Sequence, residues 1–411
     1  MTISLALYLH IPFCAARCAY CDFNTYAGLE RLHAPFAAAL SAEIRRAGAA
    51  RGRPAVHTIF IGGGTPTVLP PDLLARALDA CREAFAVAAD AEITCEANPG
   101  TVDQARFAAL RDMGINRLSM GVQSFDDAEL RWLGRIHSAA EAEQAFRAAR
   151  AAGFANINLD FIFGLPAQRP ETWSRTLERA IALQPEHLSL YSLTVEPGTP
   201  LYDRVRRGLV PAADDDLAAT LYELAGERLA RAGYEQYEIS NWARAEIVAS
   251  ADRRAGDSRG ASDGGEMSNI KRQARFMCRH NLVYWRRESY LGFGPGAHSF
   301  DRAAERRWWN VKPVPHYIQR IEAGRPAEAG GETLDRRTAM GETMMLGLRL
   351  IQEGVADATF RERFGLGLDE AFGAEIARLT AAGLLERLPD RVRLTPAGRL
   401  LGNRVFAAFM P

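Results

Sequence analysis

Residues 8–23 read Y-L-H-I-P-F-C-A-A-R-C-A-Y-C-D-F and set Cys14, Cys18 and Cys21 in a C-x3-C-x2-C spacing, directly after a run with the apolar and β-branched character of a strand. A [4Fe-4S] cluster has four irons and is normally held by four thiolates. Three thiolates on one loop therefore describe a cluster site with one iron left open for a substrate or cofactor. Zinc patterns pair two C-x2-C or C/H units across a longer insert, and no second half follows here. The competing reading is three buried free cysteines.

Working outward from that loop, Leu32, Phe36, Leu40 and Ile44 recur at near-helical spacing. Val56 to Ile61 is a short β-rich run that stops at Gly62-Gly63-Gly64-Thr65-Pro66-Thr67. Further strands are expected at Ile93 to Glu96, Arg117 to Gln123, Ile157 to Phe163 and Leu188 to Thr194, separated by helical stretches, with the one between Ala128 and Ala152 broken near Gly134. Alternation of this kind is the signature of repeated βα units around a parallel sheet. Six units before residue 235 favour a partial (β/α)6 barrel of α/β class, with a doubly wound sheet as the alternative. In such barrels the active site lies at the C-terminal ends of the strands. The cysteines, the triple glycine, Glu96, Gln123, Asp160 and Thr194 all fall at or near such an end.

Three regions are expected: the barrel over 1–235, a connecting region over 236–334, and a C-terminal accessory domain over 335–411. The connecting region holds a segment from about 244 to 275 rich in Ala, Arg, Asp, Gly and Ser, expected to be a mobile loop because it buries too little to offset its ordering entropy. The last region has helical runs at Thr338 to Leu350 and Leu368 to Ala381, then a short hairpin, which suggests winged-helix character.

Lys plus Arg equals Asp plus Glu, 50 each, so no global charge drives the chain toward nucleic acid or an anionic membrane. Six cysteines, three of them in one loop, point to metal ligation in a reducing compartment. With no signal-peptide pattern and no run of about 18 apolar residues, a cytoplasmic location is expected.

The cysteine loop, Gly62 to Thr67, Glu96 with Asn98-Pro99, G-V-Q-S-F at Gly121 to Phe125 and D-F-I-F-G-L-P at Asp160 to Pro166 occur together and in order. The chain resembles the radical S-adenosylmethionine (SAM) proteins related to oxygen-independent coproporphyrinogen III oxidase, and within them the heme chaperones of the HemW type. Phe23 stands where the oxidase has a further cysteine, and 13 residues precede Cys14 where the oxidase has a long segment. His280-Asn281-x-x-Tyr284-Trp285 matches the H-N-x-x-Y-W motif associated with heme in the chaperones. The low-complexity loop before it departs from the family pattern.

The resemblance implies a [4Fe-4S] cluster on Cys14, Cys18 and Cys21, with SAM on the open iron. It implies a SAM site formed by Gly63, Gly64, Thr65, Glu96, Gln123, Arg135 and Asp160, with Tyr8 and Thr194 beside them. It also implies heme as cargo, with His280 as an iron ligand and Cys278 as a conceivable second one; Cys81 and Cys95 read as buried and inert. The expected function is heme delivery to client hemoproteins. The alternative is an enzyme that decarboxylates porphyrinogen propionates by radical chemistry. An electron donor and a transient membrane contact are further candidate partners, and nucleic acid is not expected.

Overall fold

The computed structural model describes residues 5–248, 271–274 and 276–411. Six strands, β1 (Leu5–Ile11), β2 (Ala55–Gly63), β3 (Ala86–Ala97), β4 (Arg117–Gln123), β5 (Ile157–Phe163) and β6 (His187–Ser192), pair in parallel and in chain order. The crossovers are α1 (His33–Ala50), α2 (Pro71–Ala84), α3 (Gln104–Asp112), the pair α4 (Asp127–Leu133) and α5 (Ala139–Ala151), and α6 (Pro170–Ala182). Strands buried on both faces read as near-continuous apolar runs. β1 and β5 are buried at every position but one each, Tyr8 and Asp160, which are half-buried, with His10 and Asn158 as the buried polar residues among them. α7 (Pro200–Arg206) and α8 (Asp215–Arg231) follow β6, and Trp173 of α6 is fully buried with its indole donating to the Leu221 carbonyl of α8 at 3.0 Å.

The expected connecting region turns out to extend the same sheet at both edges. β7 (Tyr234–Glu238), β8 (Asn241–Val248) and β9 (Lys271–Ala274) continue beyond β6 in antiparallel pairing. After α9 (Arg279–Trp285), β10 (Tyr290–Phe293) runs parallel to β1, and β11 (His298–Asp301), β12 (Arg306–Asn310) and β13 (Glu328–Thr333) complete that edge, with α10 (Val314–Glu322) packed on α1. The boundary expected at 235 thus falls inside β7. The segment expected to be a mobile loop over 244–275 lies mostly outside the described residues; its flanks, through Val248 and from Lys271, are the paired strands β8 and β9. Backbone pairing needs no apolar side chains, which is why composition misses it. The thirteen-stranded sheet is open, with β13 at one edge and β7 at the other.

The C-terminal residues form a separate core around Met344, Phe360, Phe372 and Phe409. It is built from α11 (Arg336–Gly347), α12 (Asp357–Phe364), α13 (Leu368–Ala381), α14 (Pro396–Leu400) and α15 (Gly402–Ala407) over a three-stranded sheet of β14 (Val355–Ala356), β16 (Arg391–Leu394) and β15 (Leu385–Arg387). Among the described residues no helix is long and apolar enough to cross a membrane.

Candidate cluster and cofactor pocket

The cysteine loop is closed at its base by two backbone hydrogen bonds, Cys14 N–H to Tyr26 O at 2.9 Å and Tyr26 N–H to Pro12 O at 2.7 Å. The glycine-rich turn after β2 lies against that base: Gly64 N–H donates to Ile11 O at 2.8 Å and Thr65 N–H to Phe13 O at 2.7 Å. A Cβ on Gly64 would meet Phe13 O at 2.5 Å and Cys14 Sγ at 3.0 Å, so only glycine lets the turn pass beneath the loop. Each cysteine has a polar side chain beside its sulfur: Thr65 Oγ1 at 3.8 Å from Cys14, Arg135 Nη1 at 3.2 Å from Cys18 and Thr25 Oγ1 at 3.9 Å from Cys21. Burial pushes the Cys14 and Cys21 thiols above the ordinary range. Among the described residues no three His, Cys, Asp or Glu side chains converge as ligands of one ion, and three thiolates holding separate corners of a cluster need not do so.

Arg135 reaches Cys18 because α4 stops at Leu133, two residues earlier. Gly134, at φ +73°, takes the left-handed conformation that ends the helix. The guanidinium then enters the pocket, where Nη2 donates to Gly121 O at 2.9 Å while the buried Nε has no partner. Ser138 and Glu141 restart the chain as α5 through a reciprocal capping box.

Beside the loop, at the C-terminal ends of the strands, lies a cavity of about 480 Å³. Gly63, Gly64, Thr65, Glu96, Gln123, Arg135, Asp160 and Thr194 all line it together with the three cysteines. Gln123 is placed by a register slip between β4 and β5 and sits at φ +69°, a conformation costly for a side-chain-bearing residue. Glu96 accepts from the Gly63 N–H at 2.9 Å. Burial, reinforced by the charge of Asp160, pushes the Glu96 carboxyl up to about 8, with the Gly63 hydrogen bond opposing. Burial also raises Asp160, against donors from Ser119 at 2.9 Å and Asn158 at 2.8 Å. Such a pair sheds its mutual repulsion when a cationic or hydroxyl-rich ligand arrives.

These features fit a cluster with an amino-acid-bearing cofactor. Three thiols share one loop, a glycine cradle excludes any Cβ, and an orphaned guanidinium nitrogen and a carboxyl pair face the same space.

Tyr8 and His280 are not in that cavity. The Tyr8 hydroxyl bonds His10 Nδ1 at 3.0 Å, and its ring stacks on Phe60. His280 is 1% exposed and has both ring nitrogens occupied, Nδ1 with Thr58 Oγ1 and Nε2 with the Tyr284 hydroxyl, each at 2.9 Å. Ligation of heme iron by His280, the role expected of it, requires one of these two hydrogen bonds to open. Cys278 is fully buried and burial pushes its thiol up to about 12; Cys81 and Cys95 are buried, as expected.

Several lining residues escaped sequence reasoning, among them Tyr20, Ser119 and Tyr191. The position of Ser119, two residues before Gly121 on the same face of β4, was the one available signal.

Residues 8–180 match the Radical SAM superfamily, and residues 334–401 the HemN C-terminal domain. A protein from Mycobacterium tuberculosis named heme chaperone HemW is 38% identical over 97% of this chain and 93% of its own length. A protein of the same name from Bacillus subtilis is 36% identical over 98% of each. The solved structure of coproporphyrinogen III oxidase (HemN) from Escherichia coli, a radical SAM enzyme, superposes with a TM-score of 0.80 at 24% identity, covering 99% of this chain and 90% of that one.

Proposed function

The chain belongs to the HemW family of heme chaperones, and on that premise we propose that it binds heme and passes it to client hemoproteins, with a [4Fe-4S] cluster and SAM in the pocket. The observation that supports this most is the convergence of three cysteines, the glycine turn and the Glu96–Asp160 pair on one cavity. When bound, these two groups supply one-electron radical chemistry.

The chain's own residues have separable tasks in this reading. Cys14, Cys18 and Cys21 hold the cluster, and Thr65 and Arg135 donate to two of its sulfurs. Gly63 and Gly64 let the backbone approach the ligand. Glu96 and Asp160 face its cationic and hydroxyl groups. Tyr20 and Tyr191 wall the site, and Phe23, 61% exposed at its mouth, presents an apolar ring where the oxidase pattern has a cysteine.

Anaerobically reconstituted protein is loaded with hemin and mixed with an apo-hemoprotein, and transfer is followed by absorbance. Transfer is the expected outcome, with loss of the iron-dependent absorbance in Cys18→Ser. Steady consumption of coproporphyrinogen with SAM and a reductant would overturn the chaperone reading.

A further inference from the structure

Below the pocket the inner face of the strands carries polar side chains. Residues two apart on a strand share a face, and so do residues opposed in register. Asn158 therefore faces the same way as Asp160 on β5, beside Ser119 of β4 and His187 of β6. Asn158, Ser119 and His187 are all buried. On β3, Glu92 lies four residues before Glu96 and meets α9: its two carboxylate oxygens accept from the backbone N–H of Arg279 and of His280, each at 3.1 Å. α9 thus rests its first turn on the face whose other end is the pocket.

Between the pocket and α9 runs an unbroken series of hydrogen bonds. Asn158 Nδ2 donates to Asp160 Oδ1 at 2.8 Å and to Ser119 Oγ at 2.7 Å, which leaves Asn158 Oδ1 as an acceptor. His187 Nδ1, 2.7 Å from that oxygen, therefore carries a hydrogen. Burial, then the charge of Arg117, push the His187 pKa well down, so the ring is neutral and its Nε2 accepts from the Tyr237 hydroxyl at 2.9 Å. The Tyr237 oxygen in turn accepts from the N–H of Cys278, the residue that opens α9, at 3.3 Å. Every donor in the series points toward Asp160. Bonds aligned in this way polarise one another, and a carboxylate at the end strengthens each of them.

A buried cation adds a second link. Arg117 is 2% exposed, its Nε has no hydrogen-bond partner among the described residues, and its charge acts on Cys278, Glu92, Tyr237 and Asp160. The carboxylate under α9 and the carboxylate in the pocket share one guanidinium.

We propose that the pocket and α9 are coupled through this series: a cationic ligand that neutralises Asp160 weakens the hold on the α9 N-terminus and so eases the opening of the His280 bonds that heme ligation requires. The heme half of this rests on the heme-chaperone reading, and the α9 half does not. Coupling between binding sites is reciprocal, so SAM and heme raise each other's affinity by the same factor.

Amide hydrogen exchange over residues 276–285 is compared with and without SAM in the anaerobically reconstituted full chain. About fivefold faster exchange with SAM is expected, at the low end of measured couplings. Tyr237→Phe removes the hydroxyl in mid-series and keeps the ring, so exchange is fast without SAM and SAM adds nothing. Asp160→Asn keeps an acceptor for Asn158 but removes the charge, and it too speeds exchange without SAM. Unchanged wild-type exchange overturns the coupling, as does a SAM response that persists in Tyr237→Phe or a wild-type rate in Asp160→Asn. Hemin titration reads the other half: SAM tightens hemin about fivefold in the wild type and leaves it unchanged in Tyr237→Phe. Equal hemin affinity with and without SAM overturns the coupling to heme while leaving the chaperone reading intact. Faster exchange in a wild type that binds no hemin supports the α9 half and overturns the chaperone reading.

Discussion

Arg135 donates from Nη1 to the Sγ of Cys18 at 3.2 Å, so the middle cysteine of the loop carries a cationic hydrogen bond from a residue 117 positions away. Hydrogen bonds to cluster sulfurs help set reduction potential. Replacing Arg135 by Met leaves three thiolates in place but removes that positive neighbour. The reconstituted cluster should keep its iron content while its midpoint potential falls by roughly 60 mV, the one-electron equivalent of a tenfold shift. Redox titration by electron paramagnetic resonance measures this, and an unchanged potential would remove Arg135 from the cluster's electrostatics.

Gly63 holds φ +113°, and a Cβ there would meet His10 at 2.5 Å. Gly63→Ala therefore strains the backbone and displaces the His10 ring that bonds Tyr8. A stability loss of about 2 kcal/mol is expected in denaturant unfolding, together with weaker SAM binding by calorimetry. A neutral result on both would mean that the turn relaxes without consequence.

Glu43 accepts from Gly294 N–H at 2.9 Å, Asn310 at 2.7 Å and Tyr317 at 2.6 Å, tying α1 to the β10–β13 edge. Burial nevertheless pushes its carboxyl up to about 7 from an ordinary 4.5. The native state then holds the proton at pH values where the unfolded chain has lost it. The resulting stability is complete below pH 4.5 and declines as pH rises toward 7, by roughly 3 kcal/mol. Chemical denaturation across that range should show a shallower decline in Glu43→Gln than in the wild type; parallel profiles would refute the assignment.

His280 is expected to stabilise the native state through its two hydrogen bonds. His280→Ala leaves Thr58 Oγ1 and the Tyr284 hydroxyl unpaired in the interior and should cost about 3 kcal/mol. Burial lowers the His280 pKa to about 3, so the imidazole is neutral in the native state. Its contribution is full above pH 6.5 and is lost as acid charges the unfolded chain. Urea unfolding at pH 7 and pH 5 checks both, and a wild-type midpoint in the variant would mean that these bonds contribute nothing to stability.

The barrel was legible because its signals are local. Arg117 to Gln123 and Ile157 to Phe163 coincide with β4 and β5, since each sets apolar residues at alternate positions (Leu118, Met120, Val122; Ile157, Leu159, Phe161, Phe163), the period of a strand. Gly134 marked the helix break for the same reason, a single residue whose backbone freedom is needed there. The pocket was legible where unusual residue types cluster, as at the cysteines and the triple glycine. What escaped depends on partners far along the chain. β10 is four residues, Y-L-G-F, and its place beside β1 follows from a pairing some 284 positions distant that no short window contains. The His280 motif named the residue types on α9 but not the direction its imidazole faces.

The clamp on the cysteine loop has a consequence for the order of events during synthesis. Asn24 donates to Pro295 O at 2.9 Å and to Lys312 O at 3.0 Å, and β10 covers an edge of β1. Chains emerge from the ribosome amino terminus first. The three cysteines therefore leave the tunnel well ahead of the segment that steadies their loop, which is made almost three hundred residues later. Cluster insertion into a finished site thus waits until the segment through Lys312 has been made, and a truncation before residue 312 should leave a loop that takes up iron and sulfide without retaining them.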